Sequence, residues 1–212
     1  MASSPSYHVV SLAELDRVPV SHGLEWRPIR RRLGIRAFGM NAYTAEKQGD
    51  WIVEEHREGS GHEEVYLVVS GRATFTVDGD EFDAPAGTLV FLPDPQVLRK
   101  AVCEEEGTTV LAVGGWPDRA FEPSGWEWAF EAEPLSDAGK HDEAIAVMQD
   151  GIRQLGESGP GLYHLARFEA RAGRSDDAAG HLAQALELRP DVRQYAEKDE
   201  DLAPLLPVAG ES

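Results

Sequence analysis

Residues Glu63 to Ala84 read EEVYLVVSGRATFTVDGDEFDA, and this stretch decides the fold. Gly71 interrupts the first apolar run and Asp78-Gly79 the second. An Asp-Gly pair adopts positive φ readily and suits a tight hairpin. Period-two alternation sets Glu64, Tyr66, Val68 and Ser70 on one face and Glu63, Val65, Leu67 and Val69 on the other. Beyond the first two residues both faces are largely apolar, so this strand is expected to be central and covered on both sides. Outward from it, Leu33 to Gly115 is a series of short β runs bounded by glycine and proline, among them GIRAFGMNAYTA, DWIVEEH, TLVFLP and TTVLAVGG. Runs at intervals of roughly 8 to 12 residues indicate a β sandwich or barrel.

The pattern changes after Pro117. Alanine, leucine and charged residues recur at helical spacing in HDEAIAVMQDGIRQL and GLYHLARFEARAG. Ala138-Gly139 with Asp142, Glu143 and Ala144 returns 34 positions later as Ala172-Gly173 with Asp176, Asp177 and Ala178. The two copies differ, since Gly151 stands where the second has Ala185. The reading is therefore mainly β with appended α: a β barrel over 1–117, a packed connector over 118–130, and helices with a C-terminal tail over 131–212. The strand-like SYHVVSL is expected to extend the barrel at its N-terminus. Trp116, Trp126 and Trp128 argue that the connector is packed down.

Composition narrows the function classes. Thirty-eight acidic residues against 20 basic ones give a formal net charge of -18, which repels nucleic acid and anionic membrane surfaces. Neither is expected as a partner. The lone cysteine, Cys103, allows no internal disulfide and no cysteine-based zinc site. Carboxylates at Glu104, Glu105 and Glu106 oppose a reactive thiolate there. With no long apolar run and no leader-like N-terminus, the chain is expected to be cytoplasmic. The basic run Arg30-Arg31-Arg32 is expected to pair with carboxylates, and His141, His164 and His181 to be surface or interhelical residues.

The β half resembles the cupin family of double-sheet jelly rolls. Glu64 followed after six residues by Gly71 matches the second half of the first family motif, and Gly87-TLVFL-Pro93 the first half of the second. The helical half resembles the tetratricopeptide repeat through its 34-residue period and the series Leu162, Leu165, Ala166, Gly173, Ala178, Leu182, Ala185, Pro190. The cupin resemblance implies a metal held by three histidines and a glutamate, but only Glu64 of that set is in register. The His-x-His positions fall on Arg57 and Gly59 or on Glu58 and Ser60, and the remaining histidine position falls on Leu98.

Two site readings stay open. In the first, the barrel binds a small molecule without a cofactor, using inward Glu64 and Tyr66 together with Arg36, Asn41 and Tyr43, whose polar groups demand partners wherever they face the interior. In the second, His56, His62 and Glu64 form a displaced site for a divalent transition metal (Zn, Ni, Mn or Fe), with Glu54 or Glu58 sharing the strand face of His56, in an oxygenase or isomerase type of enzyme. A third reading makes the barrel a dimerisation module. Partners expected are a small-molecule ligand, a protein captured by the helical region and a second copy of the chain.

Overall fold

In the computed structural model, residues 7–20, 23–58, 61–123 and 125–206 are described. Gly59 and Ser60 of the two His-x-His positions, Ser6 of the expected N-terminal strand, and residues 207–212 of the tail therefore lie outside the described residues.

Among the described residues, ten strands form two antiparallel sheets. They are β1 (Val18–Val20), β2 (Leu24–Arg27), β3 (Gly39–Ala45), β4 (Trp51–His56), β5 (Glu63–Ser70), β6 (Arg72–Val77), β7 (Asp80–Pro85), β8 (Leu89–Leu92), β9 (Arg99–Cys103) and β10 (Thr109–Gly115). One sheet has the order β1-β2-β3-β10-β5-β8 and the other β4-β9-β6-β7. β6 and β7 are joined at Asp78-Gly79, with φ of 51° and 92° and Val77 opposite Asp80. Positive φ at both central residues is the turn that matches the twist of paired strands. The sheets share a core containing Ile52, Val53, Tyr66, Val68, Phe75, Val90, Leu92, Ala101 and Val110.

The other face of the six-stranded sheet is covered over only part of its width. Leu15, Ile29 and Ala42 form a cluster there with Leu12, Leu33, Ile35, Met40 and Leu111, helix α1 (Ile29–Leu33) supplying two of these side chains. Beyond this layer Val69, Leu89 and Phe91 are 44%, 66% and 58% exposed. The expectation that β5 is covered on both sides is corrected accordingly: Tyr66 and Val68 are buried, while Val69 faces solvent. The expected strand SYHVVSL is also absent, since residues 7–11 have no regular structure and Leu12–Glu14 is a single 3-10 turn capped by Ser11. Tyr7 and Val9 remain exposed, so apolar character alone did not recruit them to a sheet edge. Strands β1 and β2 serve instead, with β2 pairing onto β3.

The chain divides into two compact units after Glu122, inside the stretch read as a connector. The second unit contains α2 (Trp126–Asp137), α3 (His141–Leu155), α4 (Gly159–Arg171), α5 (Ser175–Leu188) and the short α6 (Arg193–Ala196). Helix α2 starts earlier than the alanine pattern indicates because Trp126, Trp128 and Phe130 form its first turns. The recurrence in sequence is a recurrence of turns: Gly139 and Gly173 follow α2 and α4 at φ of 75° and 76°. Gly151 has a reason in packing. A Cβ there would lie 2.6 Å from the Trp128 ring, so the large residue on α2 requires the small one on α3. One period later the same positions hold Leu162 and Ala185, a smaller residue with a larger one. No helix among the described residues is long and apolar enough to cross a membrane.

Candidate functional site

A charged pair lies inside the β unit. On β9 the side chains of Arg99, Ala101 and Cys103 are buried while Lys100 and Val102 are half-buried, so Arg99 takes the inward phase at the start of this strand. Its Nη2 donates to Glu64 Oε2 at 2.8 Å, and its Nη1 donates to the carbonyl oxygens of Pro95 and Val97, each at 3.1 Å. The Tyr66 hydroxyl donates to the same Glu64 oxygen at 2.6 Å. Arg99 has no exposed side-chain area and Glu64 has 12%. Burial works most strongly against the Arg99 charge, yet the hydrogen bond to Glu64 and the neighbouring Tyr66 and Glu64 groups together more than offset it and hold the guanidinium above its ordinary pKa. Burial and the neighbouring Glu64 charge push the Tyr66 phenol well up, so Tyr66 acts here as a proton donor and not as a phenolate.

Beside this pair stand His56 and Glu58. Ligating atoms of His56, Glu58 and Glu64 all lie within 4.8 Å of one another. His56 is opposite Arg99 in the β4–β9 ladder, and its Nδ1 is 2.7 Å from the Glu54 carbonyl oxygen. A carbonyl only accepts, so Nδ1 carries a proton, and in the neutral ring the lone pair is on Nε2. The Glu58 amide donates to the Pro95 carbonyl at 2.9 Å, tying it to the loop that holds Arg99. His62 is joined to this group through Glu58, with Nε2 at 3.5 Å from the carboxylate. Its ring meets Trp116 and Phe121 edge-on, at centroid distances of 5.3 and 5.6 Å. Gly114, paired with Glu64, makes room for it, since a Cβ there would lie 2.6 Å from the imidazole. Gly39, paired with Gly114, makes room for Phe121 in the same way.

Of the residues expected to bind a ligand, Glu64 and Tyr66 thus belong to one network. Asn41 is buried, but its Oδ1 accepts from Trp26 Nε1 at 3.0 Å, so this polar group is satisfied within the sheet. Tyr43 is half-buried against the shared core. Arg36 is exposed in the loop between α1 and β3, away from the interior where a ligand role was expected, because the helix turn at Gly34 delays the strand to Gly39. Of the expected metal triad, His56 and Glu64 converge, and Glu58 completes the group in place of His62. Arg99 was not foreseen as a site residue, although its phase with buried Ala101 and Cys103 marks it. Counting on from Pro93 selects Leu98 instead, one residue away.

The donor set, one imidazole and two carboxylates, is of a kind that first-row divalent metals accept. Oε2 of Glu64 already carries a guanidinium and a phenol hydrogen, and the fixed Arg99 charge beside it repels a second cation, so the residues as they stand do not fit a metal bound through that carboxylate. Elsewhere Cys103 is buried with its thiol directed to the Glu105 carbonyl, Arg32 pairs with Asp16, and His181 pairs with buried Glu169 on α4.

Comparison with family models found no match, and neither did comparison with curated proteins. Solved structures do resemble the chain. One is an RmlC-like cupin from Shewanella frigidimarina NCIMB 400, at 22% identity, covering 53% of this chain and 95% of that one with a TM-score of 0.40. KdgF from Halomonas sp. is similar at 18% identity, covering 55% and 96% with a TM-score of 0.42. A sugar phosphate isomerase of the cupin superfamily from Silicibacter pomeroyi DSS-3 is similar at 18% identity, covering 51% and 75% with a TM-score of 0.43.

Proposed function

We propose that the β unit is a cupin that binds a small organic molecule at the end of the sheet sandwich where His56, Glu58, His62 and Glu64 meet. On this reading the helical unit is tetratricopeptide-like and captures a protein partner. One observation carries the first part: a set of half-buried and buried ionisable side chains converges beside the apolar core that the two sheets share. Buried polar groups are costly unless they serve one another or a ligand, and binding sites are apolar enclosures with a few convergent polar groups. Carboxylates and imidazoles at such a site suit a ligand rich in hydroxyl groups or carrying a donor. A thermal-shift screen of sugars, sugar acids and hydroxy acids tests this. At least one compound should raise the melting temperature of the wild type and not of Glu58→Gln. A panel without effect, or an equal shift in the variant, contradicts the reading. For the helical unit, recurring turns at Gly139 and Gly173 support the repeat assignment. Deleting the chain beyond Glu122 should abolish partner capture while leaving the β signal in circular dichroism.

The alternative, a metal-dependent enzyme with Glu58 in the place expected for His62, is disfavoured by the guanidinium and phenol hydrogen that Glu64 already carries. A dimer is the third proposal, favoured by the uncovered apolar face around Val69, Leu89 and Phe91. A second copy suits this face because its middle is uncharged, so a two-fold contact brings no like charges together in a chain of net charge -18. Light scattering should give a dimer for wild type and a monomer for Phe91→Glu; the same mass for both would contradict it.

A further inference from the structure

We infer that the cation of this site is built into the chain: the Arg99 guanidinium holds the place on Glu64 that a divalent metal would need, and closes the donor group His56, Glu58 and Glu64 to metal. The inference is separate from the ligand reading above, because an organic molecule can bind or fail to bind with either outcome.

Three donors are in reach of one another, and the hydrogen bond from His56 Nδ1 to the Glu54 carbonyl leaves Nε2 ready to ligate. Such a group would be an ordinary transition-metal site if Glu64 were otherwise unpaired. Arg99 changes that. Its guanidinium cannot lose its proton in a protein. Nor can it turn away easily, being fully enclosed and fixed by Pro95, Val97 and Glu64. Its Nε is buried without a partner, so the side chain is not placed for complete hydrogen bonding. The contact that accounts for its position is the carboxylate of Glu64. Any metal on Glu64 would sit a few ångströms from this fixed charge, and repulsion at that range remains strong at the dielectric constants that describe protein sites. Tyr66 adds a second donor to the same oxygen and leaves still less of its charge for an ion.

Metal titration by calorimetry, with zinc and with manganese ions, decides the matter on four forms of the full chain: wild type, Arg99→Met, Arg99→Lys and Arg99→Met/His56→Ala. Arg99→Met keeps the volume and removes the charge, so it should bind zinc about 100-fold more tightly than wild type, given like-charge repulsion over a few ångströms. Arg99→Lys keeps the charge and should bind as weakly as wild type. The double variant should lose the gain, because a ligand is gone. If Arg99→Met is unfolded in chelator, circular dichroism replaces calorimetry: refolding on addition of zinc supports the inference, and remaining unfolded contradicts it. Tight stoichiometric binding to wild type that His56→Ala abolishes would overturn it. So would equal affinities for Arg99→Met and Arg99→Lys, which a merely structural arginine would give.

Discussion

Arg99 of the β unit and the arginines of α4 are handled in opposite ways. In the β unit one guanidinium, Arg99, meets one carboxylate, Glu64, and the arginine is wholly enclosed. In the helical unit Arg167 and Arg171 of α4 share Glu133 of α2, and Arg171 also reaches Asp137 and Asp201, with all of these groups partly exposed. A lost partner in the second network is replaced by another carboxylate or by water. A lost partner in the first leaves a charge inside the sheet sandwich, where desolvation is not recovered. The contrast separates a network that fastens helices from a pair that defines a site.

Predictions that sharpen this contrast differ in size. Glu64→Gln should be the most damaging, at about 3 to 5 kcal/mol, because it strands the buried Arg99; chemical denaturation measures it. Gly151→Ala should cost about 1 to 3 kcal/mol through the clash with Trp128. Adding Trp128→Leu, which recreates the Leu162 and Ala185 combination, should recover part of that loss.

His164 gives a pH effect of intermediate size. Its Nδ1 is shut away without a partner, and burial, only partly opposed by Asp199, lowers its pKa from 6.5 to about 4. The unfolded chain therefore takes up the proton first, so stability is unaffected above about pH 6.5 and falls as pH drops from there towards 4. With allowance for partial exposure of the ring the loss is roughly 2 kcal/mol. Urea denaturation across this range should show a shallower pH dependence in His164→Phe than in wild type. Smallest of all, Arg174→Ala removes a pair with the largely exposed Asp142 and should change stability by at most about 0.5 kcal/mol.

Much of the fold was legible because local chemistry and long-range pairing agree. Asp78-Gly79 demands the turn that β6 and β7 use, and the 34-residue recurrence is the recurrence of one left-handed glycine between helices. Glu64 and Tyr66 were legible as neighbours from alternation alone. The site was harder to read because it depends on which neighbour in a ladder faces inward. A one-residue slip exchanges the two faces of a strand, which is the whole difference between Leu98 and Arg99. His62 and Glu58 could not be ranked from sequence, since both lie between β4 and β5, where strand alternation gives no facing. The aromatic start of α2 was hidden for another reason: Trp126, Trp128 and Phe130 are poor indicators of a helix until their packing is known.

A double-mutant cycle on Glu64→Gln and Arg99→Met tests the central claim most directly, by measuring how far the two side chains depend on each other inside the β unit. The pair as found predicts a coupling of about 2 kcal/mol or more, with the double variant more stable than the sum of the single effects allows. Single effects that add to within about 0.5 kcal/mol would contradict it, because independent side chains cannot be the two halves of a buried charge pair.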